Sequence, residues 1–300
     1  MRRIVIFLCV VIAAGVLYLP SGAPSTASAQ AGASIGRVRA RFQPTDGKVF
    51  VLIIGSDART GNPDRRSTGP DINADGIHLA GINAKTMKGG ILNFPRDAWV
   101  PVPGYGSRRI NDALNRGGPR LLVQTIENLT GIKIDYWVMT GFQGFQGAIG
   151  DLGGVRMNIP SAIHDPGGSG ANLRAGEQRL AGYQALAYMR TRKSFRDGDV
   201  SRTTNQGRFL LALLKKFRTE MEEGPTRLFR WMDVTKNRTS TSVGEDELFR
   251  LAILASQVRP KDVSNVTIPV AEGRAGAAEV VFIQSGARSI YARFRQQASL

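Results

Sequence analysis

The residues Tyr188-Met189-Arg190-Thr191-Arg192-Lys193, followed by Asp197-Gly198-Asp199-Val200-Ser201-Arg202-Thr203-Thr204-Asn205-Gln206, gather the groups that grip phosphate. An arginine offers a planar fork of donors, and several converging forks suit a pyrophosphate better than a single carboxylate. Arg190 and Arg192 are two apart, so in an extended chain both point to one side. Arg202 and Gln206 are four apart and share a face if a helix begins near Ser201. Judged on charge alone, a basic cluster is a solvated surface. The apolar lead-in Ala185–Met189 and the embedded Asp199 point instead to a structured network of ion pairs.

A second set stands at strand ends. Ile53-Ile54-Gly55 leads into Ser56-Asp57-Ala58-Arg59, and Leu92-Asn93-Phe94 leads into Pro95-Arg96-Asp97. Loops at the carboxyl ends of strands in α/β sheets carry ligand-binding groups. Asp75 immediately precedes the strand expected from Ile77, and reaches the same rim if that strand runs antiparallel. Carboxylates without soft ligands favour a hard cation such as Mg²⁺, which keeps waters and takes phosphate oxygens. Any one aspartate after a strand is otherwise a turn or cap residue.

The elements that must position these groups alternate along the chain. Val49–Ile54 is a β-branched and aliphatic run of a buried strand. Ile77–Ile82 and Gly90–Phe94 read as two more, joined by the turn Asn83–Thr86. Leu121–Leu129 repeats at helical spacing and stops at Gly131; Tyr136–Met139 is a strand; Phe142, Phe145 and Ile149 share one helix face. Val155–Ile159 alternates as a strand, and Phe209–Phe217 is apolar nearly all round, as in a buried helix. Glu245–Val258 is amphipathic, with late strands at Val266–Val270 and Val280–Ile283. Such interleaving predicts an α/β fold, an α-β-α sandwich in one domain over residues 46–298.

Forty Lys and Arg face 24 Asp and Glu, a formal net charge of +16 that attracts polyanions. Met1-Arg2-Arg3, the uncharged run Ile4–Leu19 and the small residues Ala27-Ser28-Ala29 have the order of an export signal. Residues 1–29 are thus a cleaved signal peptide or a retained membrane anchor, and residues 30–45, rich in Ala, Ser and Gly, a flexible tether. The only cysteine, Cys9, lies within that run, so the exported part has no thiol for a disulfide or a thiolate-metal site. His78 and His164 are the only histidines, which excludes a multi-histidine metal site, and neither accompanies a G-x-S-x-G elbow.

Several ordered blocks resemble the LytR-CpsA-Psr family of cell-wall glycopolymer ligases. They are Leu52–Arg59, Asn93–Asp97, Arg109-Ile110-Asn111-Asp112-Ala113, Gly117-Gly118, Ile134-Asp135-Tyr136-Trp137, Asp151–Val155 and Gln184–Arg192 leading to Asp199, Arg202 and Gln206. The resemblance implies a central mixed sheet, an apolar tunnel for a polyprenyl chain, and arginines holding its pyrophosphate beside Mg²⁺. It implies Asp57 and Asp75 as metal ligands, and Arg96, Arg190, Arg192, Arg202 and Gln206 as the phosphate-holding set. Asp97 and Asp199 either orient those arginines or take the acceptor's proton. The implied reaction transfers a phosphoglycan from polyprenyl pyrophosphate to a peptidoglycan hydroxyl at the outer face of the cytoplasmic membrane. This chain departs from the family's usual Arg-x-Asp-Thr or Arg-x-Asp-Ser in reading Asn73-Ala74-Asp75-Gly76, and it has Asn205 where a further Arg is common. Arg59, Arg65 or Arg66 from the adjoining loop is the candidate replacement.

A non-catalytic binder of polyprenyl-phosphate lipids is the alternative that the altered block at Asn73 keeps open. Nucleic-acid binding fits the charge but not the export signal, and no basic motif interleaved with aromatics is present.

Overall fold

The run Lys48–Ser56 (β1) sends alternate side chains to two different cores. In the computed structural model, which describes residues 46–58, 72–192 and 198–300, Val49, Val51 and Ile53 join one apolar cluster and Phe50, Leu52 and Ile54 the other. A strand covered on both faces reads as a continuous apolar run, as this one does. The segments 1–29 and 30–45, with Arg59, Arg65 and Arg66, lie outside the described residues. Among the described residues no helix is long and apolar enough to cross a membrane.

Around β1 the chain builds β2 (Ala74–Asn83), β3 (Lys88–Asn93), the hairpin β4 (Trp99–Val102) and β5 (Gly106–Arg109), α1 (Asp112–Thr130), β6 (Tyr136–Thr140) and α2 (Phe142–Asp151). Four short strands follow: β7 (Val155–Ile159), β8 (Ile163–Asp165), β9 (Ala171–Leu173) and β10 (Gly176–Leu180). The remainder is α3 (Gly182–Arg190), α4 (Gly198–Glu223), α5 (Arg227–Arg238), β11 (Ser240–Thr241), α6 (Glu245–Gln257), β12 (Val263–Thr267), β13 (Val270–Ala275), β14 (Ala278–Ile283) and α7 (Ala287–Gln297).

The central sheet has the order β11-β6-β1-β2-β3-β12 and is mixed. Strand β1 is antiparallel to β2 and parallel to β6, β2 is antiparallel to β3, and β3 is parallel to β12. Helices α2 to α6 supply the cluster on one face; α1 and α7 supply the other. The expected sandwich and mixed sheet are thus present.

Close packing on the second face rests on two glycines. Gly81 and Gly90 are directly opposed in the β2–β3 register, and the Phe294 ring of α7 lies over them. A Cβ at Gly81 would stand 2.9 Å from that ring and one at Gly90 2.8 Å, so no larger residue fits beneath it. Phe294 also meets Phe50 edge-on, with ring centroids 5.5 Å apart. Phe294→Ala is expected to cost about 3–5 kcal/mol of stability, read as a lower urea midpoint; a loss under about 1 kcal/mol would mean α7 is not a keystone of this face.

Several boundaries differ from the sequence reading. The helix ending at Gly131 starts at Asp112, not near Leu121, and bends where Gly117 and Gly118 leave helical geometry. Gly131 takes φ 66° as its left-handed cap and donates its N–H to Glu127 O. The stretch Val266–Val270 is not one strand: Pro269, which cannot donate to a ladder, separates β12 from β13. Strand β2 begins at Ala74, so Asp75 lies inside it rather than before it.

Candidate functional site

Because β1, β3, β6 and β12 run one way and β2 the other, the ends of β1, β3 and β6 and the start of β2 share a rim. There the β1–β2 register passes from Gly55↔Gly76 to Ser56↔Ala74, leaving Asp75 as the extra residue of a bulge. Bulges re-aim a side chain at the edge of regular pairing. Asp75 is aimed at Arg96 from the β3 end, with Nη1 to Oδ1 at 2.5 Å. Asp57 follows β1 and is tied to Asn73, accepting its backbone N–H at 2.7 Å and its side-chain amide at 3.4 Å.

Helix α4 completes the cluster from above the sheet. Arg202, only 3% exposed, lies one turn from Asp199, with Nη2 to Oδ1 at 2.6 Å. Asp199 Oδ1 is also 3.8 Å from Arg96 Nε and 3.8 Å from Arg192 Nη1. Asp97 Oδ2 is 3.6 Å from Arg96 Nε, and its Oδ1 is 3.5 Å from Arg109 Nε. Arg96 therefore faces three carboxylates. Burial works against its charge, but Asp75, Asp97 and Asp199 outweigh that and raise its pKa. Asp199 is pushed above the usual carboxylate range, by burial first and by Asp97 as well, against the pull of Arg202, Arg96 and Arg192. Arg202 is lowered, again by burial first, with Asp199 and Asp75 acting to raise it.

A cavity of about 210 Å³ opens beside this network. It is lined by the polar side chains Asp75, Arg96, Arg190, Arg192, Arg202 and Gln206 and by the apolar ones Ile53, Phe142, Phe145, Leu186, Met189 and Leu210. Gln206 is locked in place, donating to Met189 O at 3.0 Å and Asp75 O at 3.4 Å. Arg190 lies over the Phe142 ring with 4.8 Å to its centroid, and no carboxylate pairs with it among the described residues. One chamber thus offers both cationic forks and an apolar lining.

All nine residues singled out from the sequence fall at this rim, though not all on the cavity wall. Asp57, Asp97 and Asp199 are not among its lining residues, and the last two pair with the arginines. Arg190 and Arg192 do not share an extended segment: Arg190 is the last residue of α3, and only Thr191 after it is extended. They still reach the same chamber because the chain leaves the helix there. Three contributors were missed. His78 is a buried histidine of β2, Asp165 a buried carboxylate that accepts the Ser169 N–H at 3.0 Å, and Arg109 a hairpin residue whose partner Asp97 is distant in sequence. Only the pairing of an apolar strand with a lone histidine hinted at the first; Asp165 ends β8 and Arg109 ends β5, short hairpin strands with no periodic signal.

The LytR_cpsA_psr family model matches residues 20–297. The chain belongs to the LytR-CpsA-Psr family. A probable cell wall biosynthesis protein, LcpB of Corynebacterium glutamicum, is 36% identical over 230 residues, 73% of this chain and 54% of that protein. Polyisoprenyl-teichoic acid–peptidoglycan teichoic acid transferase TagT of Bacillus subtilis is 33% identical over 188 residues, 61% of this chain and 56% of that protein. This LytR-CpsA-Psr chain spans little more than half the length of those two curated relatives. Solved structures of TagT bound to LI-WTA and of B. subtilis TagV superimpose with TM-scores of 0.69 each. Their sequences are 23% and 22% identical to it, over 85% of this chain and 92% and 99% of theirs, so they establish the fold.

Among the described residues no group of three or more His, Cys, Asp or Glu side chains converges as a metal cage. Asp57 and Asp75 are oxygen donors beside the end of the β1–β2 ladder, the donor chemistry that a hard cation such as Mg²⁺ takes.

Proposed function

We propose that this LytR-CpsA-Psr protein attaches a polyprenyl-pyrophosphate-linked glycopolymer to peptidoglycan, forming a phosphodiester, at the outer face of the cytoplasmic membrane. The observation that carries this reading is one cavity lined by both arginines and apolar side chains, as an amphiphile with a phosphate head requires. The relatives LcpB and TagT, named for cell-wall biosynthesis and teichoic acid transfer, support the substrate class.

In this reading the pyrophosphate lies against Arg96, Arg190, Arg192, Arg202 and Gln206, with its prenyl chain toward Phe145, Leu186 and Leu210. The acceptor hydroxyl attacks the glycan-bearing phosphorus, the bridging P–O bond breaks, and polyprenyl phosphate leaves. Charge placed ahead of time is the chief catalytic resource for such a transfer. Arg96 and Arg202 are held in place by Asp75, Asp97 and Asp199, so they need little reorganisation. Asp97 and Asp199, which pair with these arginines, are the candidates to take the acceptor's proton. Asp57 and Asp75 would hold Mg²⁺, which when bound neutralises pyrophosphate oxygens. The order of charged, apolar and small residues over 1–29, that of an export signal, supports an envelope-side protein, anchored or secreted.

The test is release of polyprenyl phosphate from a short-chain prenyl pyrophosphate, with and without Mg²⁺. Turnover requires the metal, and Arg190→Ala, which removes a fork that pairs with no carboxylate among the described residues, lowers it by about 10–100-fold. Binding without turnover under every condition would replace the enzyme by the lipid-binding alternative. In that case Asn73, which here tethers Asp57 rather than presenting a guanidinium, is the residue to restore to Arg.

A further inference from the structure

Helix α3 ends at Arg190, and where it ends decides where two of the arginines go. Successive residues of a helix stand about 100° apart, so in a helix that ran on, Arg192 would lie about 200° around the axis from Arg190, on the opposite face. Instead Thr191 leaves the helix at φ −65° and ψ 128°, and both arginines line one cavity. Thr191 is itself fully buried. The carbonyls of the last turn, which a helix leaves without intrahelical partners, are satisfied in order. Thr191 Oγ1 donates to Ala187 O at 2.9 Å, the Thr191 N–H to Tyr188 O at 3.3 Å, and the Gln206 amide to Met189 O at 3.0 Å.

The Thr191 hydroxyl has a second partner, Ser169 Oγ, at 2.8 Å. The Thr191 proton is committed to Ala187 O, so Ser169 is the donor between them. Ser169 belongs to the turn joining β8 to β9, and that turn is braced from within. Asp165 Oδ2 accepts the Ser169 N–H at 3.0 Å, Asp165 O accepts the Gly170 N–H at 2.9 Å, and Ser169 Oγ accepts the Ala171 N–H at 3.2 Å. Asp165, Gly168 and Ser169 line the same cavity as Arg190 and Arg192. We propose that the Ser169–Thr191 hydroxyl pair is a tether that fixes the end of α3 and thereby positions both forks in the chamber. Arg190 is held over the Phe142 ring, 4.8 Å from its centroid, and Arg192 within 3.8 Å of Asp199. Ser169 and Thr191 are positioning residues that act through the arginines. Only a side chain that donates and accepts at once can stand between a carbonyl and a hydroxyl donor, so Thr191→Ser keeps the tether and the similarly shaped Thr191→Val breaks it. That the two forks hold a prenyl pyrophosphate rests on the proposed function; the tether rests on the hydrogen bonds.

Arg190 reports on the tether without any ligand, because it lies over an aromatic ring. In the full chain labelled with ¹⁵N-arginine, its Nε–H signal is assigned by its loss in Arg190→Lys. The ring current of Phe142 should move that signal upfield in the wild type and in Thr191→Ser, and Thr191→Val should return it to the position of a solvated arginine. An unshifted wild-type signal, or an upfield signal that persists in folded Thr191→Val, overturns the tether. Should Thr191→Val fail to fold, Ser169→Ala, which removes only the donor supplied by the turn, decides by the same signal. Titration with geranyl pyrophosphate tests the consequence. Thr191→Val should weaken its binding about tenfold, as the loss of one charge-assisted contact does, and Thr191→Ser should restore it. Combined with Arg190→Ala, the loss should fall short of the product of the two single losses, since Thr191 acts through that fork. Losses that multiply overturn the positioning role and make Thr191 a structural residue alone. Failure of the wild type to bind geranyl pyrophosphate sinks the proposed function and leaves the tether to be decided by the ligand-free signal.

Discussion

Arg202→Ala should lose about 3–5 kcal/mol of stability, the usual consequence of leaving a buried carboxylate without its partner. Asp199 lies 2.6 Å from Arg202, and burial already pushes its pKa upward with that guanidinium in place. Removing the guanidinium leaves Arg96 and Arg192, each 3.8 Å away, as the remaining compensation. The variant should therefore melt early and lose phosphate-dependent activity together. Arg202→Ala with Asp199→Ala should recover part of the stability, since no uncompensated charge is then buried, but none of the activity. Urea titrations of the two single variants and the double variant measure the coupling. Strict additivity would show that the pair is not an energetic unit, and that the cluster is held by packing alone.

The second large effect is with pH. His78 has a folded pKa near 4, well below the 6.5 of a free histidine. Between those values the unfolded chain binds a proton that the folded chain refuses, so stability rises with pH across this window. The loss from this residue should begin as pH falls below about 6.5 and be complete near pH 4, amounting to about 3 kcal/mol. The charged group facing the ring is Arg202 on α4; Asn93 and Gln206 are the polar ones. Subtracting the pH profile of His78→Gln from that of the wild type isolates the contribution. Parallel profiles between pH 4 and 6.5 would show that the ring is solvated and the polar layer beneath the rim is loose.

That layer also explains the local architecture of α4. Gly207 lies where the helix backbone meets the Asn93–Asn265 pair, and a Cβ there would stand 1.9 Å from Asn265 Oδ1. Asn265 in turn donates to Thr204 O at 3.2 Å. The helix carrying Arg202 and Gln206 is thus seated on the sheet through backbone and amide contacts. Glycine is what lets the helix descend far enough for its polar side chains to reach the rim.

Much of this was legible in the residues alone. The alternation of apolar strands and amphipathic helices determined the sandwich, because burial on two faces demands apolar runs like Val49–Ile54. The ordered blocks ending in Arg190, Arg192, Asp199, Arg202 and Gln206 pointed to the family and to phosphate, since clustered forks with an embedded carboxylate have few other uses. What the sequence could not decide is which groups meet. Asp75 reached Arg96 through a bulge set by pairing across strands, and Asp97 found Arg109 across a hairpin that carries no periodic signal. The buried chain His78–Asn93–Asn265–Thr204 is built from hydrogen bonds among β2, β3, β12 and α4, elements far apart in the chain. Periodicity records which face of an element is buried. Which buried polar atoms meet depends on distances between elements, and only the tertiary structure sets those.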